Sequence, residues 1–200
     1  MTYPHILYII FIKNVIGGEI LKLFIISDIH GSLYYLEKVM EIFKKGDYDK
    51  LVILGDELYH GPRNPLPKDY SPKDVIQILN GYKDKIIAVR GNCDSEVDQM
   101  VLDYPIMSDY ALLYLGEKRV YITHGHIYNK ENPLPMSEGD ILLYGHFHIP
   151  MIEKIENRYF FNPGSISLPK NSSKNSFAIL DEETFTIKDL DENIIMDIKF

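Results

Sequence analysis

Five hydrophobic runs in this 200-residue sequence end in side chains that bind metal ions. S-D-I-H-G carries Asp28 and His30, G-D-E-L-Y-H-G carries Asp56, and R-G-N-C-D carries Asn92. T-H-G-H carries His124, and G-H-F-H carries His146 and His148. Imidazole mixed with carboxylate and amide oxygen suits manganese, zinc or iron rather than calcium. In D-x-H and H-x-H, alternate residues of an extended segment point the same way, so both can reach one ion. A carboxylate such as Asp56 can bridge two ions, and two divalent ions roughly 3.5–4 Å apart form a clamp for in-line attack on phosphorus. Each motif alone is weak. A D-x-H also makes a turn or a helix cap, a Gly-Asp also just turns the chain, and an H-x-H also occurs exposed and metal-free. Their recurrence at five strand ends, with the right residue types, makes the metal-site expectation.

The elements that must position these residues alternate. "LKLFIISD" (21–28), "KLVILGD" (50–56) and "KIIAVRGN" (85–92) read as buried strands of a parallel or mixed sheet. Between them, "SLYYLEKVMEIFKK" has helical apolar spacing with Ser32 as N-cap and Gly46 just past its end, and "SPKDVIQILN" has Ser71 as N-cap and Pro72 at the first helical position. "DSEVDQMVLD" (94–103) reads as a short third helix. This half is a layered α/β pattern, in which ligands bind beyond the carboxyl ends of the strands. The second half reads as a hairpin at Gly116-Glu117, a buried strand "DILLYGH", a hairpin at Glu156-Asn157 and a closing meander. "NPGS" (162–165) reads as a tight turn near the site. The loop "YHGPRNPLPKDYSP" (59–72) carries four prolines, and a loop that long is more often functional than idle.

The bulk composition narrows the partners. The chain is 46% hydrophobic and 25% charged, ordinary for one folded domain. A net charge of −8 disfavours wrapping a nucleic-acid polymer, although bound cations can still bring a phosphate ester in. One cysteine leaves no intrachain disulfide and suits a reducing cytoplasm. "HILYIIFI" (5–12) is too short to span a bilayer and lacks the flanks of a signal peptide, so no membrane association is expected. "GGEIL" (17–21) is what a purine-rich ribosome-binding site encodes if translated, which makes Leu21 a candidate start.

The series "SDIHG…GDELYHGPRN…VRGNCDSEVDQM…THGH…YGHFH…NPGS" resembles the calcineurin-like metallophosphoesterase superfamily, and within it the YfcE-type bacterial phosphodiesterases. The resemblance runs from about Leu21 to near the C-terminus, implying one domain over 21–200, with residues 1–20 an extension without counterpart. It implies an α/β fold, a four-layer α/β/β/α sandwich of two mixed sheets flanked by helices, with metals at one edge. It implies that Asp28, His30 and His148 hold one divalent ion, that Asn92, His124 and His146 hold another, and that Asp56 bridges them. Manganese is the expected metal, with zinc, iron or nickel as alternatives. The expected activity is hydrolysis of a small phosphodiester by metal-activated hydroxide, and a homo-oligomer is implied. Where many superfamily members have a histidine after the Asn, this chain has Cys93, the normal residue of the YfcE type.

Without that histidine the leaving group lacks its usual acid, a loss of roughly 10²–10⁴-fold for poor leaving groups. His60 could replace part of that role, or could pack on its own turn. Arg63 and Asn64 could contact substrate phosphate or ribose, with Cys93 beside them, or be surface and turn residues. Asp94 could hydrogen-bond a metal-ligating histidine or cap the helix after it, and His126 could orient His124 or its neighbours from behind. Competing functions are a phosphomonoesterase or nucleotidase on the same metals and a non-catalytic scaffold. All seven ligand positions are filled, which disfavours the scaffold.

Overall fold

The computed structural model of the chain describes residues 8–11 and 21–200. In chain order the elements are β1 (Tyr8–Phe11), β2 (Leu23–Ile26), α1 (Leu33–Lys45), β3 (Lys50–Ile53), α2 (Pro72–Asn80), β4 (Ile86–Ala88), α3 (Glu96–Gln99), β5 (Tyr110–Leu115), β6 (Lys118–Thr123), β7 (Ile141–Tyr144), β8 (Pro150–Ile155), β9 (Arg158–Pro163), β10 (Ser176–Leu180), β11 (Thr184–Asp189) and β12 (Ile194–Lys199). They form two mixed six-stranded sheets, ordered β12-β11-β10-β2-β3-β4 and β1-β5-β6-β7-β9-β8. The expected hairpins turn at Gly116-Glu117 and Glu156-Asn157, and the closing meander is β10-β11-β12. No helix among the described residues is long and apolar enough to cross a membrane.

The parallel strands β2, β3 and β4 of the first sheet are almost continuously apolar because both of their faces are buried. In β2, Leu23 and Ile25 face the second sheet, where they pack with Leu113, Ile122, Leu143 and Phe161. Phe24 and Ile26 face outward, against Leu36, Val39 and Phe43 of α1 and Val75 and Leu79 of α2. Phe161 and Phe185 stack across the inter-sheet core at 4.2 Å and 5°. The outer face of the second sheet is covered by Leu134 and Met136 of the 125–140 segment, which pack on Tyr121, Leu142, Tyr144 and Phe160. The fourth layer of the sandwich is therefore irregular chain rather than helix.

Two local expectations change, and one pairing is new. The third helix is one turn, Glu96–Gln99, and not 94–103; Ser95 precedes it, donating its N–H and hydroxyl to Asp98 Oδ2. The Ser32 hydroxyl donates to the Lys68 carbonyl at 2.6 Å instead of capping α1. Tyr8–Phe11 pairs in parallel with β5, so part of the 1–20 extension joins a sheet edge. The expectation that Leu21 is the start falls on residues 17–20, outside the described residues.

Candidate metal centre

Parallel strands point their carboxyl ends the same way, and here two sheets do so toward one spot. β2, β3 and β4 run parallel and release Asp28 and His30, then Asp56, then Asn92. β6 and β7 run parallel in the other sheet and release His124, then His146 and His148. The structure brings all seven side chains together in two clusters. In the first, Asp28 Oδ1 lies 3.2 Å from His148 Nε2 and 3.7 Å from His30 Nε2, and the two Nε2 atoms are 3.4 Å apart. In the second, His124 Nε2 lies 3.1 Å from Asn92 Oδ1, 3.3 Å from His146 Nδ1 and 3.4 Å from Asp56 Oδ2. Asp56 Oδ2 is also 3.6 Å from His30 Nε2, so it faces both clusters. A cation bound at roughly 2.0–2.2 Å sets neighbouring ligands about 3.0–3.6 Å apart, close to the spacing found. The chain thus carries a divalent-metal-binding site of aspartates and histidines.

The side chains do not converge by extended alternation. Asp28, His30, Asp56, His146 and His148 all have left-handed backbone, with φ of 56°, 50°, 57°, 66° and 60°. The candidate ligands sit just past the strand ends, where the chain turns, and five non-glycine residues in this region mark stored strain held by the surrounding structure. At His146 the turn is very tight, with Phe147 N–H bonded to Gly145 O at 2.7 Å across it. The first two loops are also zipped together, Asp28 N–H to Gly55 O, His30 N–H to Asp56 O and Gly31 N–H to Glu57 O.

The imidazoles are oriented by main chain. His30 Nδ1 pairs with Tyr59 O at 2.8 Å, His124 Nδ1 with Leu54 O at 2.6 Å and His148 Nδ1 with Leu168 O at 2.6 Å. Each Nδ1–H is the donor, which leaves Nε2 facing the centre, as metal-binding histidines require. Asp28 Oδ2 accepts from the Ser27 hydroxyl at 2.6 Å and from His146 N–H at 3.1 Å, whereas its buried Oδ1 has no hydrogen-bond partner. A buried carboxylate oxygen left without a donor among inward-facing imidazole nitrogens fits a cation.

The charge balance agrees. Burial opposes ionisation of Asp56 and Asp28, but the facing histidines outweigh it and hold both below the ordinary carboxylate range. Burial likewise opposes protonation of His124, yet Asp56 and then Asp28 overcome it and raise His124 to about 9. Burial, then the charge on His124, lowers His146 to about 4. A proton on His124 stands in for the positive charge that the two aspartates demand.

Buried groups that touch no ligand atom hold the loops. Asp94 Oδ2 accepts from Asp56 N–H at 2.8 Å and Gly91 N–H at 2.7 Å, and its Oδ1 accepts from Glu57 N–H at 2.9 Å. It therefore neither bonds a histidine nor caps α3; it ties the Asp56 and Asn92 loops together. Burial, then the Asp56 charge, raises it to about 6. The hydroxyl of Tyr104 donates to the fully buried Glu57, a pair 47 positions apart that sequence reading misses. After β9, the Ser165 and Ser167 hydroxyls donate to Asp28 O at 2.9 and 2.8 Å, and Asn162 Nδ2 donates to Gly145 O at 2.7 Å. N-P-G-S thus anchors one ligand loop from each sheet. A Cβ on Gly91 would lie 2.1 Å from Asp56 Oδ1, and one on Gly145 would lie 1.9 Å from Ser27 Oγ, so both positions need glycine.

Beside the clusters lies a cavity of about 450 Å³, lined by Asp56, Asn92, His146 and His148 and also by Arg63, Asn64 and Cys93. Asn64 Nδ2 is held by His60 O at 2.9 Å, and Cys93 N–H donates to Asp56 Oδ1 at 2.8 Å. Burial, then Asp56, pushes the Cys93 thiol far up, which keeps it from serving as a thiolate nucleophile. His60 does not line this cavity; its ring packs between Tyr59 and Tyr70, 4.8 and 5.3 Å away. His126 lies ring to ring 5.4 Å from His124 and 6.2 Å from His146, and the His124 ring is also held by Leu54 O. Two wall residues carried no motif in the sequence: Lys170, whose N–H binds His148 O, and Phe147, between the two histidines of G-H-F-H.

Residues 21–184 match the calcineurin-like phosphoesterase superfamily domain. The chain is 45% identical over 176 residues to phosphodiesterase YfcE of Escherichia coli (strain K12), covering 88% of this chain and 96% of that one. The solved structure of the E. coli Yfce phosphoesterase superposes with a TM-score of 0.88, over 90% of this chain and 99% of the other. Vacuolar protein sorting 29 from Cryptosporidium parvum shares the fold at a TM-score of 0.61 and 16% identity, over 90% of this chain and 99% of that one.

Proposed function

The chain belongs to the calcineurin-like phosphoesterase superfamily, and from that premise we propose that it is a two-metal phosphodiesterase acting on a small phosphodiester. Asp28, His30 and His148 would hold one cation, Asn92, His124 and His146 the other, and Asp56 would serve both. The observation that carries this reading is the convergence of Nε2 of His30, His124 and His148 on Asp28 Oδ1 and Asp56 Oδ2, each ring locked by a backbone carbonyl. Mixed nitrogen and oxygen ligands support manganese, with zinc, iron or nickel as competitors. Such cations lower the pKa of a bound water and neutralise charge on the phosphoryl oxygens.

The chain's own groups do the rest. Arg63 and Lys170 offer cationic donors to phosphoryl oxygens from the cavity wall, and Asn64 offers an amide. Asp94 and the N-P-G-S segment keep the ligand loops from moving when substrate enters. Among the described residues, no imidazole outside the clusters lines the cavity, which supports a preference for esters whose leaving groups need no proton. The small cavity and the net charge of −8 support a small substrate over a nucleic-acid polymer.

The test is manganese-dependent hydrolysis of bis(p-nitrophenyl) phosphate beside p-nitrophenyl phosphate, with Asn92→Ala and His124→Ala as controls. Turnover of the diester, lost in both variants, is the expected result. Preferential turnover of the monoester would replace this reading with a phosphomonoesterase. Absence of turnover in protein loaded with two ions would favour a scaffold.

A further inference from the structure

Phe147 stands where a core residue has no reason to be. It lies between His146 and His148, is 41% exposed, and its ring meets His146 edge-on at 5.2 Å and Tyr144 at 6.0 Å. Covering the open part of this ring with apolar ligand surface is favourable. Phe147 also lines two cavities at once. One is the cavity beside the metal clusters; the other, of about 220 Å³, is walled by Tyr144, Ile149, Pro150 and Met151. The second is below the size of a complete ligand site but suits one flat ring. Of its polar neighbours, Asn162 bonds Gly145 O and Gly164 N–H, Lys130 is paired with Glu153 at 2.8 Å, and the exposed Glu131 lies 3.9 Å from Lys130. Most of what remains open is apolar and aromatic surface that adjoins the cavity beside the metal clusters, where Arg63 and Lys170 stand.

We propose that Phe147 and the pocket behind it form a subsite for a planar ring carried on one ester arm of the substrate, an aryl group or a nucleobase, while its phosphate occupies the metal cavity. This deepens the phosphodiesterase reading and rests on it for the position of the phosphate. Phe147 is a specificity residue: it selects among diesters and takes no part in bond cleavage.

The experiment is calorimetric binding to the manganese-loaded protein, with three probes sharing a phosphate monoester head: methyl phosphate, phenyl phosphate and thymidine 5′-phosphate. Stacking on an aromatic side chain is worth roughly tenfold or more in affinity. The wild type should bind at least one ring-bearing probe about tenfold more tightly than methyl phosphate. Phe147→Ala should collapse that ratio toward one, and Phe147→Trp should restore it. Damage to the metal site would weaken all probes together and leave the ratio standing, so the ratio isolates the ring. Phenyl phosphate gaining alone points to an aryl arm, and thymidine 5′-phosphate gaining further points to a nucleoside arm. Equal affinity for all three probes, no binding of any, or a ratio that survives Phe147→Ala overturns the proposal. Ring preference without diester turnover would refute the phosphodiesterase reading alone; turnover without ring preference would refute this one alone.

Discussion

Replacing Gly145 by alanine tests whether the two sheets touch where the metal clusters need them to. Gly145 follows β7, and Ser27 follows β2 in the other sheet. An added Cβ would lie 1.9 Å from Ser27 Oγ, 2.9 Å from Ser27 Cβ and 2.9 Å from Asp28 Oδ2. Ordinary contacts need more than 3 Å, so Ser27 or the His146 turn must move by about 1 Å. Moving Ser27 breaks its 2.6 Å bond to Asp28 Oδ2; moving the turn breaks the 3.1 Å bond from His146 N–H to the same atom. One charge-assisted bond is worth about 1.5–3 kcal/mol, and overpacking adds about 1–3 kcal/mol. The sum is roughly 3–6 kcal/mol, with Asp28 swung out of place for its cation. Urea unfolding in chelator should show the destabilisation, and manganese titration should show at least a tenfold loss of affinity. Ser27→Gly in the same chain should recover part of both, because it removes two of the three obstructing atoms. Gly139→Ala is the control: nothing lies within 4 Å of its Cβ, and its φ of 83° leaves only a local backbone penalty. If Gly145→Ala stays within 1 kcal/mol and threefold of the wild type, the packing of the two ligand loops is not what the structure describes.

Three further outcomes are expected. Because His124 holds a proton up to about pH 9, manganese binding at pH 7.5 should expel one, and affinity should rise with pH toward that value; calorimetry in buffers of different ionisation enthalpy counts the proton, and zero release refutes the reading. Asp189 is opposed by burial but held at about 2 by Lys174 and by Asn193. Its stabilisation is therefore complete above its ordinary value near 4 and is lost as pH falls through about 2, and Asp189→Ala should cost about 2 kcal/mol in urea at neutral pH. Phe185→Ala should cost about 3–5 kcal/mol in the same assay, since its ring is fully buried and stacked on Phe161; a change under 1 kcal/mol would mean that the core collapses around the gap.

The ligand series is legible in sequence because each member follows a strand that periodicity alone reveals. Asp28 with His30, Asp56, Asn92 and His124 each mark a separate strand end, so their order carries the architecture with it. The geometry that unites them is not legible: left-handed backbone at five of the ligands is set by loop-to-loop bonds that no local pattern encodes. Asp94 shows the limit well. Its position beside Asn92 suggests a helix cap or a histidine partner, and its true partners, Asp56 N–H and Glu57 N–H, lie 38 and 37 positions away. Phe147 and Lys170 escape for the same reason, since a cavity wall is defined by what faces it. His60 errs in the other direction: the proline-rich loop does line the cavity through Arg63 and Asn64, but the histidine turns between two tyrosines.

Each cluster takes members from both sheets, and His30 and His148 are 118 positions apart in the chain. A cation held by such a cluster is a reversible cross-link through the middle of the sandwich. It closes a loop as long as those for which a disulfide is worth about 4–5 kcal/mol, in a chain whose single cysteine can form no internal one. Unlike a disulfide, it adds stability in proportion to the logarithm of free metal concentration. Separating the sheets would require surrendering the ion, so a chelator should speed unfolding as well as stop catalysis. With the ion bound, the lifetime of the folded chain would follow metal supply.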